Sequence, residues 1–367
     1  MQQPVRFYAL DVLRGLIIAL MILVNTPGSW SHVYSPLLHA SWDGFTVADI
    51  VFPGFLFVVG AAMFYALKQA PANAATVRKV VKRALIMFGC GLFLNWFWAQ
   101  PLAELRIYGV LQRIAICYVL AAGLLLLLRR FQLKVQVTLP IVLFGLLLLY
   151  WFLLHLSAQP LDLAGNLVRQ FDLYLLGPTH LYQGYGLPFD PEGLLSSLPA
   201  IGNVLIGYWV AAGLATLAPL PRLYWLLRVG TVMVVLAAAL AWFWPVNKPL
   251  WSGSYVLLSS GFLIWLLALM LWLVDIRGWQ RLAEPLKIYG SNPLFIYMLS
   301  LLWSVLLAEL LVWQQDGQRM SAYQWLFDNL ALLLPAKLAS LVFALLHVLW
   351  FWWLSRWLYR RNIFIKI

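Results

Sequence analysis

Residues 24–53 read VNTPGSWSHVYSPLLHASWDGFTVADIVFP, a polar stretch between two apolar runs. It carries the carboxylates Asp43 and Asp49, the imidazoles His32 and His39, and the amide of Asn25. A histidine beside a carboxylate can be held in one tautomer and can act as a base. His39, with Asn25 before it and Asp43 after it, has the composition for that chemistry. The alternative is a histidine at a membrane interface, bonded to backbone. Thr46 followed by Asp49 at three residues is a variant capping box, a structural task that would open a helix.

Three other stretches collect reactive or binding side chains. NLVRQFDLYLLGPTHLYQGYGLPFDPEG, residues 166–193, brings together Asp172, His180, Tyr182, Tyr185, Asp190 and Glu192. That set suits a hydroxylated or cationic ligand, and equally a folded lid. WPVNKPLWSGSY, residues 244–255, makes a short turn between apolar runs. LRIYGVLQR puts Arg106 and Arg113 at one end of a helix, with Gln112 and Arg113 entering its apolar part. An ionisable group there needs a partner or a water-filled cavity, so Arg113 is a functional candidate, with an internal salt bridge as its structural alternative.

ALDVLRG sets Asp11 and Arg14 at pairing distance on one helix face. YGSNPLFIY interrupts an apolar run with Gly290, Asn292 and Pro293, as broken helices that line cavities do. The chain has no Walker loop, no dinucleotide fingerprint and no HExxH pattern, which argues against ATP-driven transport by this chain alone.

The elements that must position these groups are set by composition. The 367 residues are 63% hydrophobic and 10% charged, more apolar surface than a soluble domain of this size can bury. Windows of about 20 apolar residues recur throughout, the length a helix needs to cross a bilayer. The expectation is an all-α polytopic integral membrane protein with about ten transmembrane helices. They fall near 10–27, 46–67, 84–100, 108–128, 136–156, 196–217, 228–245, 252–274, 286–311 and 338–358, within a single transmembrane domain over 1–367. Asp11 and Arg14 at the start of the first run, with no small-residue cleavage site after it, argue against a cleaved signal peptide.

With both termini in the cytoplasm, basic residues from Lys68, Arg78, Lys79, Lys82 and Arg83 through to Arg360, Arg361 and Lys366 share the inner face. The outer loops keep acidic residues, among them Asp43, Glu104, Asp162, Asp190, Glu192 and Asp316. The +12 net charge therefore reads as a positive-inside topology with attraction to anionic lipid, and no nucleic-acid partner is expected. Trp96, Trp98, Trp242, Trp244, Trp350, Trp352 and Trp353 read as interfacial belt residues. Cys90 and Cys117 read as small buried hydrophobes, and no ligand spacing for a metal is present.

The blocks ALDVLRG with LVN, HASWDGFTVADIVFP, GVLQRIAICY, HLYQ with FDPEGLLS, and PVNKPLWSGSY follow one another along nearly the whole chain. In that order they resemble the heparan-α-glucosaminide N-acetyltransferase family and its bacterial NagX-type relatives, within the transmembrane acyltransferase superfamily. The lysosomal members carry an extra luminal domain and one further N-terminal helix, so the bacterial arrangement is the expected one. The resemblance implies transfer of acetyl from cytoplasmic acetyl-CoA to the amine of a glucosamine residue at the periplasmic face of the inner membrane, without a metal. It also suggests a homodimer.

By the same resemblance the catalytic histidine is His39 and the paired asparagine is Asn25. Asp43 stands where the lysosomal enzyme has asparagine. The lysosomal IDR piece here reads FDL, which keeps Asp172 and loses its basic neighbour. The chemistry then assigns His39 as base, Asn25 as donor to the oxyanion, and Asp43 or Asp49 as the group that orients the imidazole. Trp42, Asp49, Arg113, His180, Tyr182, Asp190, Glu192, Asn247, Lys248 and Trp251 are the expected acceptor-binding residues. Arg14, Lys82 and Arg83 are expected near the CoA phosphates. The competing reading is a carrier for an amino sugar or its N-acetyl form; a third is a non-catalytic membrane subunit.

Overall fold

The structure, a computed structural model, describes residues 7–97, 101–315 and 317–365; Trp98, Asp316 and Lys366 lie outside them. Among the described residues ten helices are long and apolar enough to cross a membrane. The all-α polytopic architecture follows from the absence of water in a bilayer core: each backbone N–H must find its partner within its own segment.

Most spans fall within a few residues of their expected places, and two begin earlier. The third runs over Ala74–Phe97. Its first turns hold Arg78, Lys79, Lys82 and Arg83, whose long stems keep their charges in solvent while the backbone stays helical. Asn73 caps it, accepting from the Thr76 N–H at 3.0 Å. The seventh runs over Pro219–Leu240, and Pro219 occupies the first helical turn, where a missing N–H costs nothing.

The chain divides into two compact units. In one, residues 7–39, 46–51 and 270–365, α1 (Tyr8–Asn25) packs on α10 (Gln280–Tyr289), α11 (Pro293–Val305) and α13 (Ala336–Arg360). Gly15 lets α1 reach α10, since a Cβ there would overlap the Leu286 carbonyl. A two-stranded antiparallel hairpin, β1 (Val312–Gln315) and β2 (Gln318–Ser321), leads into α12 (Ala322–Ala331).

The break at residues 290–292 differs from expectation. Asn292 is fully buried; its Nδ2 donates to the Ile363 carbonyl at 2.9 Å and its Oδ1 accepts from the Ile365 N–H at 2.7 Å. The asparagine between α10 and α11 satisfies both of these hydrogen bonds with the tail that follows α13, and so clamps it.

The other unit, residues 40–45 and 52–269, holds α2 (Val51–Leu67), α3 (Ala74–Phe97), α4 (Val110–Arg130), α5 (Val135–Leu154), α6 (Leu167–Leu176), α7 (Ser197–Leu214), α8 (Pro219–Leu240) and α9 (Gly253–Met270). Here α4 packs between α3 and α7, and α7 also lies on α5. Gly60 and Gly207 bring α2 and α7 to backbone contact, the small-residue packing that replaces hydrophobic drive in lipid.

Candidate functional site

The connection after α1 is built to hold His39. Thr26 caps α1, its hydroxyl donating to the Ile22 carbonyl at 2.8 Å. The chain is then tied to α13 and α12: Ser29 N–H donates to Ser340 Oγ at 3.1 Å, and the Tyr323 hydroxyl donates to the Pro27 carbonyl at 2.6 Å. Before α2 lies a 3₁₀ turn, Ala48–Ile50, that buries Asp49 completely.

Asp49 Oδ2 accepts from the Thr46 N–H at 3.0 Å, the back-contact of a capping box, and lies 3.1 Å from the Thr46 hydroxyl. Its other oxygen, Oδ1, is 2.8 Å from Nδ1 of His39. The capping function and the histidine contact are therefore performed by one carboxylate. A carboxylate on Nδ1 fixes the tautomer in which Nε2 carries the lone pair, and the ring is 43% exposed while its partner is not exposed at all. Asn25, the last residue of α1, makes no side-chain hydrogen bond among the described residues, so its N–H groups are available as donors.

Asp43, expected among the catalytic groups, faces elsewhere. Its Oδ1 accepts from Nδ2 of Asn247 at 3.0 Å, the two residues form a backbone bridge, and Gly44 N–H donates to the Val246 carbonyl at 2.8 Å. The carboxylate in contact with the imidazole is Asp49, and Asp43 fastens its loop to the turn before α9. Asn247 is buried and committed there too, its Oδ1 accepting from the Leu250 N–H at 2.7 Å. Trp42 donates from its indole to the Leu161 carbonyl at 3.0 Å and meets Phe189 and Tyr185 edge-on. Lys248 is half-buried in the same turn as Asn247.

Trp251, in that turn, is buried in the left-handed region with φ of 55°. Such a conformation is costly for a bulky residue and persists only where its surroundings fix it. They do: the indole donates to Asn203 Oδ1 at 2.9 Å, and the ring packs edge-on to Phe52 and Tyr255. Its face carries the guanidinium of Arg113 at 4.9 Å. Arg113 on α4 is wholly buried and donates from Nη2 to the Gly193 carbonyl at 3.1 Å and to the Ser196 hydroxyl. Its Nε and Nη1 have no partner among the described residues.

Asp172 on α6 is also wholly buried. Its Oδ1 accepts from the Leu194 N–H at 3.1 Å, and its Oδ2 has no partner among the described residues. Burial pushes its carboxyl up to about 7; the bond from Leu194 opposes the rise, Asp190 adds to it, and Arg113 opposes it.

The acidic loop around Asp190 turns on Arg106, at the end of LRIYGVLQR that precedes α4. Arg106 holds Asp190 in a two-pronged pair, Nε to Oδ2 at 2.9 Å and Nη2 to Oδ1 at 2.7 Å. It also donates to Glu192 at 2.5 Å. Burial alone would lower the arginine's pKa, but the two carboxylates raise it above the usual range. Tyr108 next to it is raised by burial and then by Asp172 and Asp190. His180 Nδ1 is 2.8 Å from the Leu105 carbonyl, which ties this loop to the residue before Arg106. A pairing across 84 residues of chain leaves no local signature in sequence.

Arg14 donates to the Gly290 carbonyl at 2.6 Å and to Asp11 at 2.9 Å, so it joins α1 to the break after α10. Lys82 and Arg83 are exposed on α3, the latter 5.4 Å from the Tyr118 ring.

Ten apolar spans among the described residues, and a half-exposed histidine on a buried carboxylate in the loop between the first two, define a polytopic membrane protein with the makings of general-base chemistry. The profile of the family described as heparan-alpha-glucosaminide N-acetyltransferase, catalytic, matches residues 6–236. The chain belongs to that family. It is similar to the heparan-alpha-glucosaminide N-acetyltransferase of Homo sapiens, 30% identical over 355 residues, covering 80% of this chain and 52% of the human protein. The Mus musculus protein of the same name is 28% identical over 351 residues, covering 80% and 53%. The chain thus spans about half the length of the curated relatives it matches.

Proposed function

We propose that this protein is a transmembrane N-acetyltransferase that moves acetyl from acetyl-CoA to the amine of glucosamine or a glucosamine-containing sugar. The observation that carries the reading is the 2.8 Å contact between His39 and the buried Asp49, within a chain of this family. An amino sugar arrives as an ammonium ion and must lose a proton before its nitrogen can attack. Nε2 of His39 takes the proton of the attacking nitrogen, and Asp49 stabilises the imidazolium that forms. The nitrogen bonds to the thioester carbon, the carbonyl becomes an oxyanion, and Asn25 donates to it. Collapse breaks the C–S bond, and the CoA thiolate leaves with the proton from the imidazolium. The ammonium gives up two protons in all: the first passes to water before the attack, and the second reaches the thiolate through His39.

The basic asymmetry of the loops supports cytoplasmic termini in a bacterial inner membrane, with His39 on the periplasmic side. Acetyl-CoA then enters from the cytoplasm. Lys82 and Arg83 suit its phosphates better than Arg14, whose guanidinium already serves Asp11 and Gly290. A homodimer is the assembly proposed with it.

Purified protein with radiolabelled acetyl-CoA and glucosamine tests the reading. N-acetylglucosamine should appear, and His39→Ala should stop it. Saturable sugar uptake into liposomes without acetyl-CoA, and no acetylated product, would make the protein a carrier instead.

A further inference from the structure

In the unit that carries His39, α12 and α13 form a cavity of about 390 Å³, a volume typical of small-molecule sites. Its wall includes Trp325, Leu326 and Leu330 of α12, and Phe343, Leu346 and His347 of α13. The described residues that line it carry no charged side chain. Trp325, Leu326 and Leu346 are exposed as well as lining, so the cavity opens through an apolar rim. Leu346 lies on a membrane span, and a rim of that kind receives lipid rather than a solute from water.

His347 sets the chemistry of this cavity. The residue is only 7% exposed, and its Nδ1 is 2.9 Å from the Phe343 carbonyl, one helical turn back. A carbonyl only accepts, so Nδ1 carries the hydrogen. With no carboxylate in the wall to balance a charged ring, the imidazole is neutral and Nε2 holds a lone pair. Nε2 is buried and has no partner among the described residues. The Tyr323 hydroxyl, on a ring 6.2 Å from the imidazole, donates to the Pro27 carbonyl instead. A buried acceptor left unpaired is costly, and polar groups inside membrane spans mark sites for that reason. The group that satisfies Nε2 must therefore be a donor. An ammonium would lose its hydration in an uncharged apolar cavity, whereas a neutral hydroxyl enters at far lower cost.

We propose that the cavity between α12 and α13 binds a membrane lipid whose uncharged end carries a hydroxyl, such as an acylglycerol, with the hydroxyl donating to Nε2 of His347 and the chain lying against Trp325, Leu326 and Leu346. The same two helices hold the segment that leads to His39. Ser340 accepts from the Ser29 N–H, and Gly28 fits only without a Cβ, which would strike Phe327 of α12 and crowd Phe343 of α13. A lipid that braces α12 on α13 therefore also steadies that segment. The proposal does not depend on the acetyl-transfer reading.

The test uses the purified full-length chain in nanodiscs of phosphatidylcholine, a lipid with no hydroxyl. A diazirine-bearing monoacylglycerol is photocrosslinked and its site mapped by mass spectrometry. Oleyl alcohol and its methyl ether, which share a chain and differ in the donor, serve as competitors. The label should fall on residues that line the cavity, between 325 and 347. The alcohol should compete roughly tenfold better than the ether, as loss of a buried hydrogen bond predicts. In His347→Phe, which keeps a ring and removes the acceptor, the two should compete equally. Leu346→Trp, at an exposed wall position, should block the opening and reduce labelling, and it decides the matter if the His347 variant does not fold. Label on other segments, or labelling untouched by Leu346→Trp, overturns the proposal. So does equal competition in the wild type, which would leave Nε2 to water, or a preference for the alcohol that survives His347→Phe.

Discussion

His39 and Asp49 are ten residues apart in the chain and 2.8 Å apart in space, and the same aspartate closes the capping contact with Thr46. Losing Asp49 would remove both the orientation of the imidazole and the start of the turn before α2. His39→Ala should lower turnover by roughly 10²- to 10⁴-fold, the usual loss for a positioned base. Asp49→Asn keeps the shape but can stabilise the imidazolium only weakly, and a loss of roughly 10²-fold or more is expected. Asp43→Asn, which retains a side-chain oxygen for Asn247, should cost far less. Acetyl-transfer rates of the three variants at equal expression check this; an Asp43 variant more damaged than the Asp49 variant would reverse the assignment.

Asn25→Ala should depress kcat by roughly 10²- to 10³-fold, the loss seen for a single oxyanion donor. The two roles separate by pH. Raising pH supplies more free amine and should partly restore the His39 variant, whereas the Asn25 variant should keep its deficit across the same range. Parallel pH–rate profiles of the two variants would show that this division of labour is wrong.

Asp172 predicts a stability profile. Its carboxyl titrates near 7 in the folded protein against 3.8 for the unperturbed group. Between those values the folded state holds a proton that the unfolded state has lost, so this group makes stability fall as pH rises from about 4 to about 7. Asp172→Asn keeps an oxygen for the Leu194 N–H and removes the titration. Thermal unfolding in detergent should show the wild type losing ground to Asp172→Asn as pH rises through that window. A difference that is constant with pH would refute the assignment.

Arg106→Ala should destabilise the protein by about 3 kcal/mol or more, because it leaves Asp190, which is wholly buried, without its counter-charge. Adding Asp190→Asn to that variant should recover part of the loss. Unfolding midpoints of the single and double variants measure the coupling, and simple additivity would mean that the pair contributes little.

Element type and most span positions are legible in the order of residues alone. Helix is the obligatory answer wherever twenty apolar residues must cross lipid, and that rule acts on each segment separately. The break near Gly290 and Asn292, the polar segment of residues 24–53, and the buried place of Arg113 in α4 were legible for the same reason: each is a local departure from an apolar run. Even the bond from Asp49 to Thr46 was written locally, as a capping spacing.

Tertiary structure decided the partners. Nothing local distinguishes Asp43 from Asp49 as neighbours of His39; the 3₁₀ turn over Ala48–Ile50 carries one to the imidazole, while the bridge to Asn247 takes the other. Nothing near Arg106 announces Asp190, and nothing near Asn292 announces the tail residues it clamps. These pairings are set by which helix ends meet, and a buried charge or amide must bond to whatever that packing places beside it. The apolar pattern fixes how each segment crosses, but not which polar groups come together at the segment ends.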